Sequence, residues 1–332
     1  MIEPKDKLSN KLVSIIIPTY NRGNIIQETI NSILNQTYQN FQVFIIDDGS
    51  TDNTKKIIHS FRDQRIEYIF QNHSGLPATG RNIGLKKANG DYVAFLDSDD
   101  LWFPRKLELQ IKLFEKNPEI LLIATNGVLF PRKYNNKVLS LKKNTKVSFK
   151  QLLEKNIIIN SSVLLKKEVI ENIGLLDENL KLKYGEDFDY WLRLLRFRDN
   201  SILVIKEVLV KYRENKEILF KYYNNPQFFL KKYWIYKQIY EKQKDFNKNH
   251  IEKLMRKILD NYKISMIRKE IITKQISFHM ILKINFLKVY QKLKLLIEYF
   301  IFKFEFPYLI KKIKIFHSKI DYFKDLIFRL FK

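Results

Sequence analysis

The sequence predicts an α/β fold built on a mainly parallel sheet, followed by an α-helical, basic extension. Short β-branched apolar runs alternate with segments of helical period, the pattern of helices covering a parallel sheet. All nine glycines lie between Gly23 and Gly185, so turn chemistry is confined to the first part. Residues 216–332 contain no glycine and only Pro226 and Pro307, and they read as long helices. The division is placed at Asn215. Residues 1–215 carry 33 basic and 26 acidic side chains, a net +7, and residues 216–332 carry 27 and 10, a net +17 of the total +24.

Val13-Ser-Ile-Ile-Ile17 is a continuous apolar run, expected as a strand buried on both faces and closed by Pro18. From Asn24 to Gln36, Ile25, Ile26, Ile30, Ile33 and Leu34 recur at helical spacing, and Val43–Ile46 repeats the strand pattern. The alternation continues with a helix near 53–61, a strand near 66–70, a helix near 79–88 and a strand at 92–96. Crossovers between such parallel strands are right-handed. Ligands in these sheets bind beyond the carboxyl ends of the strands. The segments there are Pro18-Thr-Tyr-Asn21, Asp47-Asp-Gly-Ser-Thr-Asp52 and Asp97-Ser-Asp-Asp100, and two of the three are acidic.

Asp97 and Asp99 offer hard oxygen ligands of the kind that Mg²⁺ or Mn²⁺ takes together with phosphate oxygens and water. A plainer role is capping a helix that begins at Pro104. Thr51 or Asp52 suits the cap of the helix carrying Ile57 and Ile58, which leaves Asp47 and Asp48 as acceptors for a nucleobase N–H or a ribose hydroxyl. Glu186, Asp187 and Asp189 open an amphipathic helix. They suit either the macrodipole there or, beside a pocket, a general base.

No cysteine is present, which excludes disulfides, thiolate zinc sites and a cysteine nucleophile. The five histidines show no ligand spacing. No uncharged apolar run reaches the roughly 18 residues of a spanning helix, and the start, MIEPKDKLSN, lacks the apolar stretch of a secretory signal.

The order VSIIIPTYN, INSILNQTY, IIDDGSTDNT, GRNIGLKKANGDYVAFLDSDD, NSSVLLKKEVIENIGLLDE and GEDFDYWLRL resembles the inverting glycosyltransferases of family 2, which have the GT-A fold, over about residues 10–215. The resemblance implies a nucleotide-sugar donor and a glycan or lipid-linked acceptor, as in surface polysaccharide or glycoconjugate synthesis. It implies that Asp48 contacts the nucleotide base, that Thr19 and Tyr20 line the nucleotide pocket, and that Arg81 and Asn82 lie beside the nucleotide. Asp97 and Asp99 would form the DxD motif holding Mn²⁺ or Mg²⁺ on the diphosphate, and Asp187, in its pair with Glu186, would be the catalytic base. The Gln-x-x-Arg-Trp string of processive members is absent, which implies transfer of one sugar per encounter. A nucleotidyltransferase is the alternative, although it would bring a glycine-rich phosphate loop where this chain has Pro-Thr-Tyr-Asn-Arg. A catalytically silent membrane scaffold is another alternative, and the intact carboxylates speak against it.

In the extension, Leu309, Ile313, Phe316, Ile320, Phe323, Ile327 and Leu330 form a helical apolar stripe flanked by lysines. A second stripe runs from Ile281 to Phe304. A packed or self-associating helix fits this pattern, and so does an in-plane helix on an anionic membrane surface. The expectation is peripheral attachment to the cytoplasmic face of the plasma membrane. Nucleic acid is not expected as a partner, because aromatics at strict helical spacing are committed to packing or bilayer.

Overall fold

The computed structural model describes residues 10–131, 136–213, 227–242 and 248–272. The chain forms two compact units, Met1–Asn215 and Lys216–Lys332.

The first unit opens as the periodicity predicts, with β1 (Val13–Thr19), α1 (Ile26–Leu34), β2 (Phe41–Asp47), α2 (Thr54–Ser60), β3 (Ile66–Phe70), α3 (Pro77–Lys87) and β4 (Tyr92–Phe95). Strands β3, β2, β1 and β4 lie side by side and parallel. Pro18 does not close β1, which runs on to Thr19. The Ile16 carbonyl bonds to Leu96 beside β4, and the Thr19 carbonyl to Asp48 beside β2. By the two-residue period Pro18 directs its missing donor toward β4, whose pairing with β1 has already ended at Ile16–Phe95, so no ladder bond is lost.

The second half of the sheet is mixed. It contains β5 (Leu101–Trp102), β6 (Leu122–Phe130), β7 (Thr145–Val147), β8 (Leu164–Lys166) and β9 (Ile202–Arg213). The strand order is β3-β2-β1-β4-β8-β6-β9-β5, with β7 also paired to β9. Strand β8 is antiparallel to both β4 and β6, while β6 and β9 are parallel. The helices here are α4 (Lys106–Lys116), α5 (Phe149–Glu154), α6 (Glu168–Ile173) and α7 (Glu186–Phe197). Helix α4 begins after β5 with Arg105 as its cap residue and no side-chain cap, so Asp97–Asp100 do not cap it.

Odd-numbered β1 residues Val13, Ile15 and Ile17 pack with Ile26, Ile30 and Ile33 of α1 and Leu107, Ile111 and Phe114 of α4 in one buried core. Ile16 faces the opposite side of the sheet, against α3. There a side chain at Gly84 would place its Cβ 2.5 Å from Ile16, and one at Gly80 would sit 3.1 Å from Pro18. Glycine at these two positions lets α3 lie close on β1, which carries Arg81 to the strand ends.

In the second unit, α8 (Gln227–Lys242) and α9 (Lys248–Ile272) are helical as expected. Tyr240 donates to Glu252 Oε1 at 2.8 Å, joining the two helices. Among the described residues no helix is long and apolar enough to cross a membrane. The expected stripes at 281–304 and 309–330 lie outside the described residues.

Candidate active site

The carboxyl ends of β1, β2 and β4 share one edge, since Thr19 pairs with Asp47 and Phe95 with Ile16. Sequence reasoning left Asp47 and Asp48 without structural duties, and the structure supplies them. Asp47 is fully buried, accepting from the Ser50 amide and the Tyr68 hydroxyl, each at 2.8 Å. Asp48 Oδ1 takes the Ser74 amide and hydroxyl, both at 2.8 Å, and the Gln71 amide group, while Oδ2 takes the Gly75 amide at 2.9 Å. Burial opposes its ionisation, but these donors win and hold the carboxyl below the usual range. Asp48 therefore organises the 71–75 loop beside the strand ends. Gly49, with φ of +79°, makes the turn that lets His73 approach. Tyr20 stacks on His73 with ring centroids 4.2 Å apart, and Thr19 Oγ1 is buried without a hydrogen-bond partner among the described residues. Asp52 holds the start of α2 through the Thr54 amide at 2.9 Å, although the cap position itself is Asn53.

Arg81 lies at the centre of the second group. It is 5% exposed, and its two terminal nitrogens donate to Glu186 Oε1 at 2.7 Å and Asp97 Oδ1 at 2.6 Å. One buried guanidinium thus brings the β4 loop together with the start of α7. Asn82, next along α3, turns elsewhere. Its Nδ2 donates to the Leu176 carbonyl and Glu178 Oε1, and its Oδ1 accepts from the Leu176 amide, which commits it to the loop before α7.

The acidic loop is braced from several elements. The Asp97 amide donates to Ser161 Oγ at 3.0 Å, and Asn160 Nδ2 donates to Asp97 Oδ1 at 3.1 Å. Arg213, the last residue of β9, donates from Nε to the Asp99 carbonyl at 2.7 Å and from its amide to Asp100 Oδ1 at 2.8 Å. Arg22 stands 3.6 Å from Asp99 Oδ2. Asp100 was visible in the acidic segment and Asn160 and Ser161 in a family string, but these residues and Arg213 received no role from sequence, because their partners are 60 to 115 positions away and no local period reports them.

At Asp99 and Asp100 burial and neighbouring carboxylates outweigh the donors around them. Burial raises Asp99, and Asp97 raises it further. Asp100 is 1% exposed, its Oδ2 has no hydrogen-bond partner among the described residues, and burial together with Asp97 and Asp99 pushes it well above the carboxylate range. Asp187 is pushed up to about 6, first by burial and then by Glu186, against the opposing pull of Arg81. Its Oδ1 accepts the Phe188 amide at 2.7 Å. Glu186 is fully engaged, with Oε2 accepting the Gly185 amide at 2.9 Å. Tyr212 belongs to the same field, its phenol raised by burial and by Asp100, Asp97, Asp99 and Asp187. Concentrations of perturbed acids at a strand-end cleft mark functional sites. Among the described residues no cluster of three or more acidic or histidine side chains is arranged to hold a metal alone. Asp97 and Asp99 provide a two-carboxylate, oxygen-only set whose negative excess a dication would relieve, so they fit a hard metal that also takes phosphate and water.

The model of the family described as "Glycosyl transferase family 2" matches residues 14–174. A glycosyltransferase of Escherichia coli, WfgD, is 31% identical over 206 residues, which cover 62% of this chain and 78% of that protein. The chain belongs to glycosyl transferase family 2. WfgD is named a UDP-Glc:alpha-D-GlcNAc-diphosphoundecaprenol beta-1,3-glucosyltransferase. An uncharacterized glycosyltransferase of Rickettsia bellii is 50% identical over 114 residues, 34% of this chain, but the match spans only 16% of that longer relative. Among solved structures, S. aureus TarS 1-349 in complex with UDP-GlcNAc superposes with a TM-score of 0.61 at 19% identity, covering 87% of this chain and 89% of TarS 1-349. That likeness shows the GT-A fold expected for a family 2 member. The stretch matched by the family model includes the 71–75 loop, Arg81 and the acidic loop, and it ends before Glu186 and Asp187.

Proposed function

We propose that this family 2 chain moves a sugar from a nucleotide-sugar donor to a hydroxyl of a lipid-linked glycan acceptor, with inversion and one sugar per encounter. The observation that carries the reading is the convergence on Arg81 of the β4 acidic loop and the Glu186–Asp187 pair. Donor and acceptor chemistry need two acidic sites side by side, one for the diphosphate end and one for the attacking hydroxyl. The nature of the substrates is supported by WfgD, named for a UDP-sugar and a diphosphoundecaprenol acceptor.

In this reading Tyr20 and Thr19 flank the nucleotide, and Asp48 accepts the base N–H at Oδ2, where it has fewer bonds than at Oδ1. Asp97 and Asp99 would hold Mg²⁺ or Mn²⁺. When bound, the dication neutralises charge on the departing diphosphate. Arg81 fixes Asp97 and Glu186 in mutual register. Asp187 Oδ2, which takes no hydrogen bond from the described residues, accepts the acceptor proton as the oxygen attacks. A carboxylate with a value near 6 is too weak to ionise a sugar alcohol beforehand, so proton removal and attack proceed together. The basic extension keeps the enzyme on the cytoplasmic, anionic membrane face where a lipid-linked acceptor resides.

Asp99→Ala tests the donor half. It should abolish sugar transfer from UDP-sugars and weaken their metal-dependent binding, and Asp97→Ala should do the same. Rates close to wild type for purified Asp99→Ala with Mn²⁺ present would refute the assignment.

A further inference from the structure

The chain between α6 and α7 is pinned at both ends and exposed between them. At one end Asn82 holds the Leu176 carbonyl and amide, both at 2.9 Å, and Glu178 accepts from Thr79 at 2.9 Å and from Asn82 at 2.7 Å. At the other end the Gly185 amide is bonded to Glu186. Within the span Leu182 is buried, but Leu180 is 72% and Tyr184 58% exposed, with Lys181 and Lys183 interleaved. Tyr184 has φ of +63°, a region that disfavours ring-bearing residues, so its outward position is held against a backbone cost.

The location gives this exposure a meaning. Lys183 Nζ lies 3.7 Å, and His73 Nε2 3.6 Å, from the point where a Cβ would stand at Gly75, in the loop that Asp48 organises. Tyr184 precedes Asp187 by three residues. The span therefore borders the 71–75 loop and leads directly into the helix start that carries Asp187. Exposed leucine and tyrosine alternating with lysines match a molecule that is apolar along its length and anionic at one end. A neutral glycan would stack on Tyr184 but leave the exposed aliphatic Leu180 unused.

We propose that Leu180–Tyr184 is a docking lip for an amphiphilic acceptor, with Lys183 against a diphosphate and Leu180 and Tyr184 against the first part of a polyprenyl chain. The proposal rests on the lipid-linked acceptor read above and names the residues that recognise it.

Farnesyl diphosphate is a suitable probe, titrated calorimetrically into the full-length protein with UDP at saturation so that the donor site is filled. The variants are Lys183→Glu and the pair Leu180→Ser with Tyr184→Gly, since glycine accepts the +63° backbone and keeps the loop in place. Each should weaken farnesyl diphosphate binding about tenfold or more, the scale of one lost charged contact or of apolar side chains left unburied. Affinity for UDP and melting temperature should stay at wild-type values. Inorganic diphosphate should bind far more weakly than the farnesyl compound and ignore the apolar pair. The proposal is overturned if the wild type does not bind farnesyl diphosphate, if the variants bind it equally well, or if inorganic diphosphate binds as tightly. It is also overturned if the variants lose only sedimentation with phosphatidylglycerol vesicles, which would make the lip a membrane contact. Failure of the wild type to bind UDP would instead count against the donor reading.

Discussion

Asp187 has one oxygen committed to the Phe188 amide, and burial together with the Glu186 charge raises it to about 6. It is ionised above that pH and protonated below. A protonated carboxyl cannot take the acceptor proton, so the transfer rate should fall as pH drops through about 6, read from kcat against pH. Asp187→Asn keeps the shape and removes the base. It should retain UDP-sugar affinity and lose at least about 100-fold in rate. A collapse of donor affinity with turnover per bound complex preserved would make Asp187 a binding residue. Stability should move the other way. Because the folded-state value lies above the ordinary 3.8, the folded protein holds this proton more tightly than the unfolded chain, and stability is lost as pH rises through about 4 to 6. The Asn variant should therefore melt at a higher temperature than wild type at pH 7.5, with the gain vanishing near pH 4. The acidic residues were legible in the sequence, since each follows a readable strand or opens a readable helix. Their partners were not. Arg81 was visible only as part of a family string, and nothing local announced that it spans 105 positions to reach Glu186.

At the scale of elements, legibility followed length and period. Strands β1 to β4 and their helices were readable because apolar runs alternate there with helical spacing. Strands β5 and β8, of two and three residues, are too short to show a period, and so the antiparallel half of the sheet was not foreseen. The acidic loop depends on that half. Residues Asn160 and Ser161 lie just before β8, and Arg213 ends β9. Arg213→Ala removes the side-chain bond to the Asp99 carbonyl and the ion pair with Glu28 at 2.8 Å, while the backbone bond to Asp100 remains. The expected result is a stability loss of about 1–2 kcal/mol and a rise in the Mn²⁺ concentration needed for half-maximal donor binding. Denaturant unfolding and a metal titration read these separately. An unchanged metal requirement would reduce Arg213 to a fold-stabilising residue.

For the whole molecule the charge is the dominant fact, with +17 of the +24 in residues 216–332. Attraction between lysines and anionic lipid contributes about 1 kcal/mol per residue near the surface and is screened as the Debye length falls from about 10 Å at 0.1 M to about 3 Å at 1 M salt. Deleting residues 308–332 should release the protein from anionic liposomes and leave UDP binding intact, and high salt should do the same to the full chain. If the full chain fails to sediment with anionic vesicles even at low salt, the tail is a packing or self-associating element. In that case its deletion should change oligomer mass or melting temperature. The bracing of the acidic loop by Arg213 also limits where the chain can be cut or joined to another. Since the final residue of β9 is a strut of the acidic loop, a joint that attaches a different tail after Arg213 keeps both of its bonds to that loop, and a joint before it removes them.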